Sequence, residues 1–230
     1  MESCNNVSKE NNKENENTKP NPIIDNIKSR LILSKIYNNM TIKKKLEIVK
    51  YNKKVQNILN LSLKDYKEYP KTYSSIEIEI IPVKGKYGEF IKVDKNDELY
   101  YHIYFNDNKE EIKDKYRIKE EDGVTKKEYY IEEEDDVSKI KIIIDYQVKS
   151  FQKLFFNCYC IESINFKKFH RNNITNMSHM FFCCSSLKKL NLTNFNTNNV
   201  TDMRWMLRGC SDDLKWKIKS EYKNIKDDAF

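Results

Sequence analysis

Val148-Lys-Ser-Phe151-Gln-Lys-Leu154-Phe155-Phe-Asn157-Cys158, Ile174-Thr-Asn-Met177-Ser-His-Met180-Phe181-Phe-Cys183-Cys184 and Val200-Thr-Asp-Met203-Arg-Trp-Met206-Leu207-Arg-Gly209-Cys210 are three versions of one segment. Like residues stand 26 apart, as at 148, 174 and 200 or at 158, 184 and 210. The residues between them repeat as well: Ile161-Glu-Ser-Ile164-Asn-Phe166-Lys-Lys-Phe169 against Leu187-Lys-Lys-Leu190-Asn-Leu192-Thr-Asn-Phe195. A fixed period of this length marks stacked supersecondary units, each too small to bury its own apolar face.

The L-x-x-L-x-L-x-x-F core implies a leucine-rich-repeat solenoid. Ile164 and Phe166, like Leu190 and Leu192, alternate inward along a short strand, and such strands stack in parallel about 4.8 Å apart. Met177, Met180 and Phe181 have helical spacing and are expected to close the other wall. Cys158, Cys184 and Cys210 share one slot and form a column of small buried side chains. Asn157 and Gly209 share a slot with Cys183 and point to a left-handed turn there, which a cysteine tolerates less well. After Cys210 the pattern breaks, and Asp213-Leu-Lys-Trp-Lys-Ile218-Lys-Ser-Glu-Tyr222 reads as an amphipathic helix capping the last coil.

Upstream, the period is two. Ile76-Glu-Ile-Glu-Ile-Ile81, Phe90-Ile-Lys-Val93, Leu99-Tyr-Tyr-His-Ile-Tyr-Phe105, Tyr129-Tyr-Ile131 and Ile140-Lys-Ile-Ile-Ile144 read as strands. Gly85, Gly88, Asn106-Asp107-Asn108 and Asp122-Gly123 supply the turns. The acidic run Glu132–Asp136 reads as a solvated loop. Further upstream, Ile27, Leu31, Ser34 and Tyr37 fall at helical spacing, and short helices are expected over 27–39, 42–50 and 51–59, the second capped by Thr41. Residues 1–22 have almost no large apolar side chain and are expected to stay disordered.

The predicted class is therefore α+β: a short parallel solenoid of about 26-residue repeats behind a β-rich segment and a small helical module. The boundaries run 1–22 for the tail, 23–70 for the helical module, 71–146 for the β-rich segment, 147–210 for the repeats and 211–230 for the capping helix.

The repeats resemble the BspA-type, or Mycoplasma-lipoprotein-type, leucine-rich repeats over about 148–210. That resemblance implies protein binding, either as a bacterial surface adhesin or as a member of an expanded protist family. Leu31-Ile-Leu-Ser-Lys-Ile36-Tyr-Asn-Asn-Met40 through Lys53 resembles an F-box, with Lys28-Ser-Arg30 in place of that family's Leu-Pro opening. The F-box resemblance implies docking on a ubiquitin-ligase adaptor through Leu31, Ile36 and Met40. The alternative is a helical cap that packs on the sheet.

The composition narrows function further. The formal charge is +7, yet Lys far outnumbers Arg, and Asn, Ile and Tyr are abundant while Ala229 is the single alanine, a pattern that codon bias explains. Arginine is the residue that bidentate phosphate contacts favour, so nucleic acid is not the expected partner. There is no run of 18 apolar residues and no apolar leader, so neither a membrane nor export is expected, and the cytoplasm is the expected compartment. A zinc site from Cys158, Cys160, His170, His179, Cys183 and Cys184 fits no standard spacing, and periodic placement already accounts for three of these thiols. No histidine is spaced to pair with a nucleophile, and no cofactor motif is present. The expected function is thus non-enzymatic protein binding by the outward residues of the strand face, Ser163, Asn165 and Lys167 on one rung and Lys189, Asn191 and Thr193 on the next. An acidic protein fits the basic balance, and a ligase substrate receptor is the more specific form. The remaining alternatives are an adhesin, or a shortened repeat protein that binds nothing alone.

Overall fold

The computed structural model describes residues 29–40, 44, 52–59, 67, 73–121 and 123–230. The chain divides into two compact units, Met1–Leu63 and Lys64–Phe230, taken here one at a time.

In the first unit, helix α1 covers Arg30–Asn38 and α2 covers Lys53–Leu59. Ser29 begins α1, its side-chain oxygen accepting from the Ile32 amide at 3.5 Å. Asn52 does the same for Val55 at 3.0 Å. Side-chain oxygens at these positions satisfy amides that have no partner within the helix, so the helices start there. Tyr37 and Val55 are buried, whereas Leu31 of the expected apolar stripe is 72% exposed. The 1–22 tail, Thr41 and, apart from Lys44, the 42–50 helix lie outside the described residues.

The second unit is built from two sheets. Strands β1 (Ile76–Pro82), β3 (Tyr101–Phe105), β6 (Ile140–Ile144), β7 (Ile161–Lys168) and β8 (Lys189–Asn191) form one in the order β3-β6-β1-β7-β8. Strands β2 (Gly88–Asp94), β4 (Tyr116–Glu121) and β5 (Val124–Ile131) form the other in the order β2-β5-β4. Every pairing is antiparallel except β7 with β8. Alternation decides the faces: Ile76, Ile78 and Ile80 of β1 are fully buried, as are Ile140, Ile142 and Ile144 of β6. These residues join Phe90, Ile91 and Val93 of β2 and the repeated apolar residues in one core. Helix α3 (Asp212–Glu221) buries Leu214 and Ile218, with Ser211 as its N-cap.

The expectation of an α+β chain with a parallel leucine-rich-repeat solenoid is overturned. Most of the regular structure is β, in an antiparallel and a mixed sheet, and the parallel pairing is confined to Ser163–Asn165 against Lys189–Asn191 plus the isolated bridges Ser150–Asn176 and Asn176–Asp202. The reason is the other neighbour of β7. Its long edge pairs with β1 in antiparallel fashion, so β7 belongs to the upstream sheet. Where a third strand is due, at 215–217, the chain is already in α3.

The second wall is not helical either. Each repeated segment is a string of tight turns, as in the bonds from the Leu154 amide to the Phe151 carbonyl at 3.2 Å and from Phe156 to Lys153 at 3.1 Å. Alternate amides point instead to the next segment: Phe151 to Asn176, Phe155 to Met180 and Asn157 to Phe182, each at 2.8 Å, with Lys153 to Ser178 at 3.0 Å. The same ladder joins the second segment to the third, from Met177 to Asp202 and from Phe181 to Met206 at 2.8 Å. Turns place apolar side chains three and four apart as a helix does, which is why the spacing misled. Lys153, His179 and Trp205 take positive φ in one slot, and Asn157, Cys183 and Gly209 do so in the other.

Candidate protein-binding face

The five-stranded sheet turns its apolar side chains inward and a polar face outward. The register aligns one outward row across all five strands: Tyr104 opposite Lys141, Lys141 opposite Glu79, Glu79 opposite Asn165, and Asn165 opposite Asn191. Four of these residues are half-buried and Asn191 is exposed. Asn191 donates from Nδ2 to Asn165 Oδ1 at 3.0 Å, and its own Oδ1 accepts from the Thr193 amide at 3.0 Å and the Thr193 hydroxyl at 2.6 Å. The two asparagines are thereby held in fixed rotamers.

Charges on this face are sorted into pairs. Lys167 meets Glu79 at 2.9 Å and Lys168 meets Glu77 at 2.9 Å. The Lys168 bond, with help from the fields of Lys141 and Lys167, holds the Glu77 carboxyl below its usual range. At one edge His102 lies 3.3 Å from Glu111 and 3.6 Å from Asp145. Lys141 and Lys189 carry no ion pair among the described residues, so they are the free cations of the face.

Ser163, Asn165, Lys167, Lys189, Asn191 and Thr193 are thus brought together on β7, β8 and the turn after β8. Lys167 is engaged by Glu79, a partner the repeats gave no hint of. Glu77, Glu79, Lys141 and Tyr104 belong to the same face and were missed. The Ile-Glu-Ile-Glu alternation marks the two glutamates as outward, but no local pattern says that β1 lies between β6 and β7. Leu31, Ile36 and Met40 lie in the other unit, Leu31 exposed, Ile36 and Met40 half-buried.

The metal-like set has other uses. Cys184 Sγ donates to the Phe155 carbonyl at 2.9 Å, Cys210 to Phe181 at 3.1 Å and Cys160 to Glu89 at 3.2 Å. Burial pushes the Cys160 and Cys210 thiols up to about 12, and raises Cys158 and Cys184 as well. Thiols so shifted stay protonated at neutral pH and are poor nucleophiles and poor metal ligands. Among the described residues no cluster of His, Cys, Asp or Glu has the geometry of a metal site. The acidic run is partly structural: Asp135 pairs with Lys115 and accepts from the Glu132 amide at 2.9 Å.

Residues 135–226 match the family described as Mycoplasma protein of unknown function, DUF285, a BspA-like, lipoprotein-related family. That match covers β6, β7, β8, α3 and the three repeated segments, and it carries no leucine-rich-repeat or F-box assignment. No curated protein matches the chain, and no solved structure does.

Proposed function

We propose that this chain is a non-enzymatic protein-binding module whose recognition surface is the outward face of the five-stranded sheet. The observation that carries the reading is the continuous polar row Tyr104–Lys141–Glu79–Asn165–Asn191, held in register by five strands. Glu79, Asn165 and Asn191 of this row are held by Lys167, by each other and by Thr193 before any partner arrives, which lowers the ordering cost of binding. Glu77 and Glu79 are paired with Lys168 and Lys167, while Lys141 and Lys189 have no ion pair among the described residues, so these two lysines are the groups that suit an acidic protein. Affinity purification from native cells, with wild-type chain beside Asn165→Arg and Lys189→Glu, tests the reading. Proteins retained by wild type and lost from both variants are expected; identical captures would refute it.

A second reading concerns the first unit. Leu31 at 72% and Ile32 at 53% exposure form an uncovered apolar pair on α1, which supports docking on a ubiquitin-ligase adaptor, with the chain acting as a substrate receptor. Co-purification of the adaptor, abolished by Leu31→Asp with Ile36→Asp, is the expected result. No co-purification removes this reading and leaves the first intact. No helix among the described residues is long and apolar enough to cross a membrane.

A further inference from the structure

The repeated turns build a second surface that the sheet face does not use. Phe156 and Phe182, equivalent in successive segments, stack with centroids 5.1 Å apart and planes 11° from parallel. The strip continues from Phe182 to His179 at 5.5 Å and from His179 to Trp205 at 5.0 Å. Cations close both ends: the Lys153 amine lies 5.5 Å from the Phe156 ring and the Arg208 guanidinium 5.3 Å from Trp205. Phe156, Phe182 and His179 are half-buried and Trp205 is 48% exposed.

Two features single out this strip. The first is the backbone slot shared by Lys153, His179 and Trp205, with φ of 58°, 57° and 58°. The left-handed region is cheap for Gly and Asn and costly for bulky residues. At the companion slot Asn157 and Gly209 fit that rule, yet at this slot Lys153 and Trp205 break it. Their side chains are kept for something other than backbone ease. The second is electrostatic. Phe156 and Phe182 cover one face of each other, and the amines of Lys92 and Lys153 lie 5.9 and 5.5 Å from the Phe156 ring. The edges of these rings are the positive part of an aromatic quadrupole. Lys153 is balanced by Glu121 at 3.6 Å and Arg204 by Asp202 at 2.8 Å, but Arg208 carries no ion pair among the described residues. Positive edges, an unpaired guanidinium and a half-exposed indole favour carboxylates beside an apolar side chain.

We infer that the strip from Lys153 to Arg208 docks an acidic polypeptide segment carrying aromatic or aliphatic side chains, with Trp205 and Arg208 as its anchors. Trp and Arg are the residues that most often dominate such interfaces. The experiment is fluorescence anisotropy at low salt with a dye-labelled peptide of alternating Glu and Tyr, set beside alternating Gly and Tyr and oligo-dT. Saturable binding of the Glu-Tyr peptide is expected, weakened at least tenfold by Trp205→Gly and by Arg208→Glu and unchanged by Lys189→Glu on the sheet face. Glycine suits the backbone at 205, so Trp205→Gly keeps the fold, and circular dichroism checks that it does. Absence of binding, equal binding of the Gly-Tyr peptide, or affinity unchanged in both strip variants overturns the inference. So does loss on Lys189→Glu alone, which assigns the peptide to the sheet face, and so does binding of oligo-dT in its place.

Discussion

Gly209→Ala is the sharpest test of how the repeated turns are packed. Gly209 has φ +79°, and a Cβ added there would stand 2.6 Å from Cys183 Sγ, 3.1 Å from its Cα and 3.2 Å from its amide nitrogen. Two costs add. A non-glycine residue in the left-handed region loses about 1–2 kcal/mol, and forcing a methyl into a filled space costs about 1–3 kcal/mol. The sum, roughly 2–5 kcal/mol, corresponds to a fall in Tm of about 4–20 °C for a chain of this size. Urea and thermal unfolding followed by far-UV circular dichroism measure it. Cys183→Gly supplies the control, because it removes the closest atom and relieves a second positive φ, that of Cys183 at 56°. In that background Gly209→Ala is expected to cost less, its backbone share of about 1–2 kcal/mol plus the remaining crowding against the backbone at 3.1 and 3.2 Å, so the two changes couple favourably. A neutral Gly209→Ala, or the same cost in both backgrounds, refutes the packing described here.

Arg171 is fully buried and donates to the carbonyls of Asp145 and, at 2.6 Å, Val148; Arg171→Met strands both carbonyls and is expected to cost about 2–4 kcal/mol in urea unfolding. His179 is held below its usual 6.5, first by burial and then by Lys153. A depressed histidine favours the neutral form in the folded state, so its contribution to stability is complete above pH 6.5 and is lost as the pH falls below it. An NMR titration of His179 beside unfolding at pH 7 and pH 5 checks this, and His179→Phe is expected to flatten that part of the pH profile. Lys92 and Glu128 form a buried ion pair across β2 and β5, 5% and 4% exposed. Lys92→Met alone leaves the buried carboxylate with only the exposed Lys119, 3.7 Å away, and is expected to cost up to about 3–5 kcal/mol, whereas Lys92→Met with Glu128→Leu recovers most of it.

What could be read from the sequence follows the range of the forces involved. The Ile76–Ile80 alternation marks β1 because one face of the strand is buried, a local cause with a local signature. The left-handed slot at 157, 183 and 209 was readable because Asn and Gly advertise it, whereas the slot at 153, 179 and 205 was silent, since Lys, His and Trp advertise nothing. Strand β4 went unseen because it lies at the edge of its sheet with Arg117–Glu120 exposed, so no apolar period marks it. Leu99, expected in β3, is 77% exposed in the short 3-10 helix Lys95–Tyr100 that precedes the strand. The strand order was illegible because β1 joins β7 through long-range pairing, and that pairing turned an expected solenoid into a mixed sheet. Arg171 gave no warning either: its buried place depends on two carbonyls of the preceding segment.

A ladder of parallel segments leaves one row of donors and one of acceptors open at its ends, and such rows invite further pairing. Here both ends are engaged by the chain itself. At the first segment the Leu154 carbonyl accepts from the Lys92 amide of β2 at 2.8 Å. At the last, the amides of Trp205 and Leu207 donate to the carbonyls of Asp228 and Ala229, each at 2.7 Å. Beyond β8 the Leu192 amide donates to the Tyr222 hydroxyl at 3.2 Å, where the next strand would otherwise pair. At β3 the Ile103 carbonyl accepts from the Ile112 amide at 2.8 Å. With these edge groups already bonded, a partner gains little by adding a strand at these places; the outer edge of β4, in the other sheet, is separate from them. The two side-chain surfaces are the polar row of the five-stranded sheet and the aromatic strip of the turns. Recognition by these two surfaces is therefore expected to respond to side-chain substitutions such as Asn165→Arg or Arg208→Glu and to be indifferent to N-methylation of a partner's backbone. A partner peptide whose affinity collapses on N-methylation while tolerating both substitutions would show that an edge had opened after all.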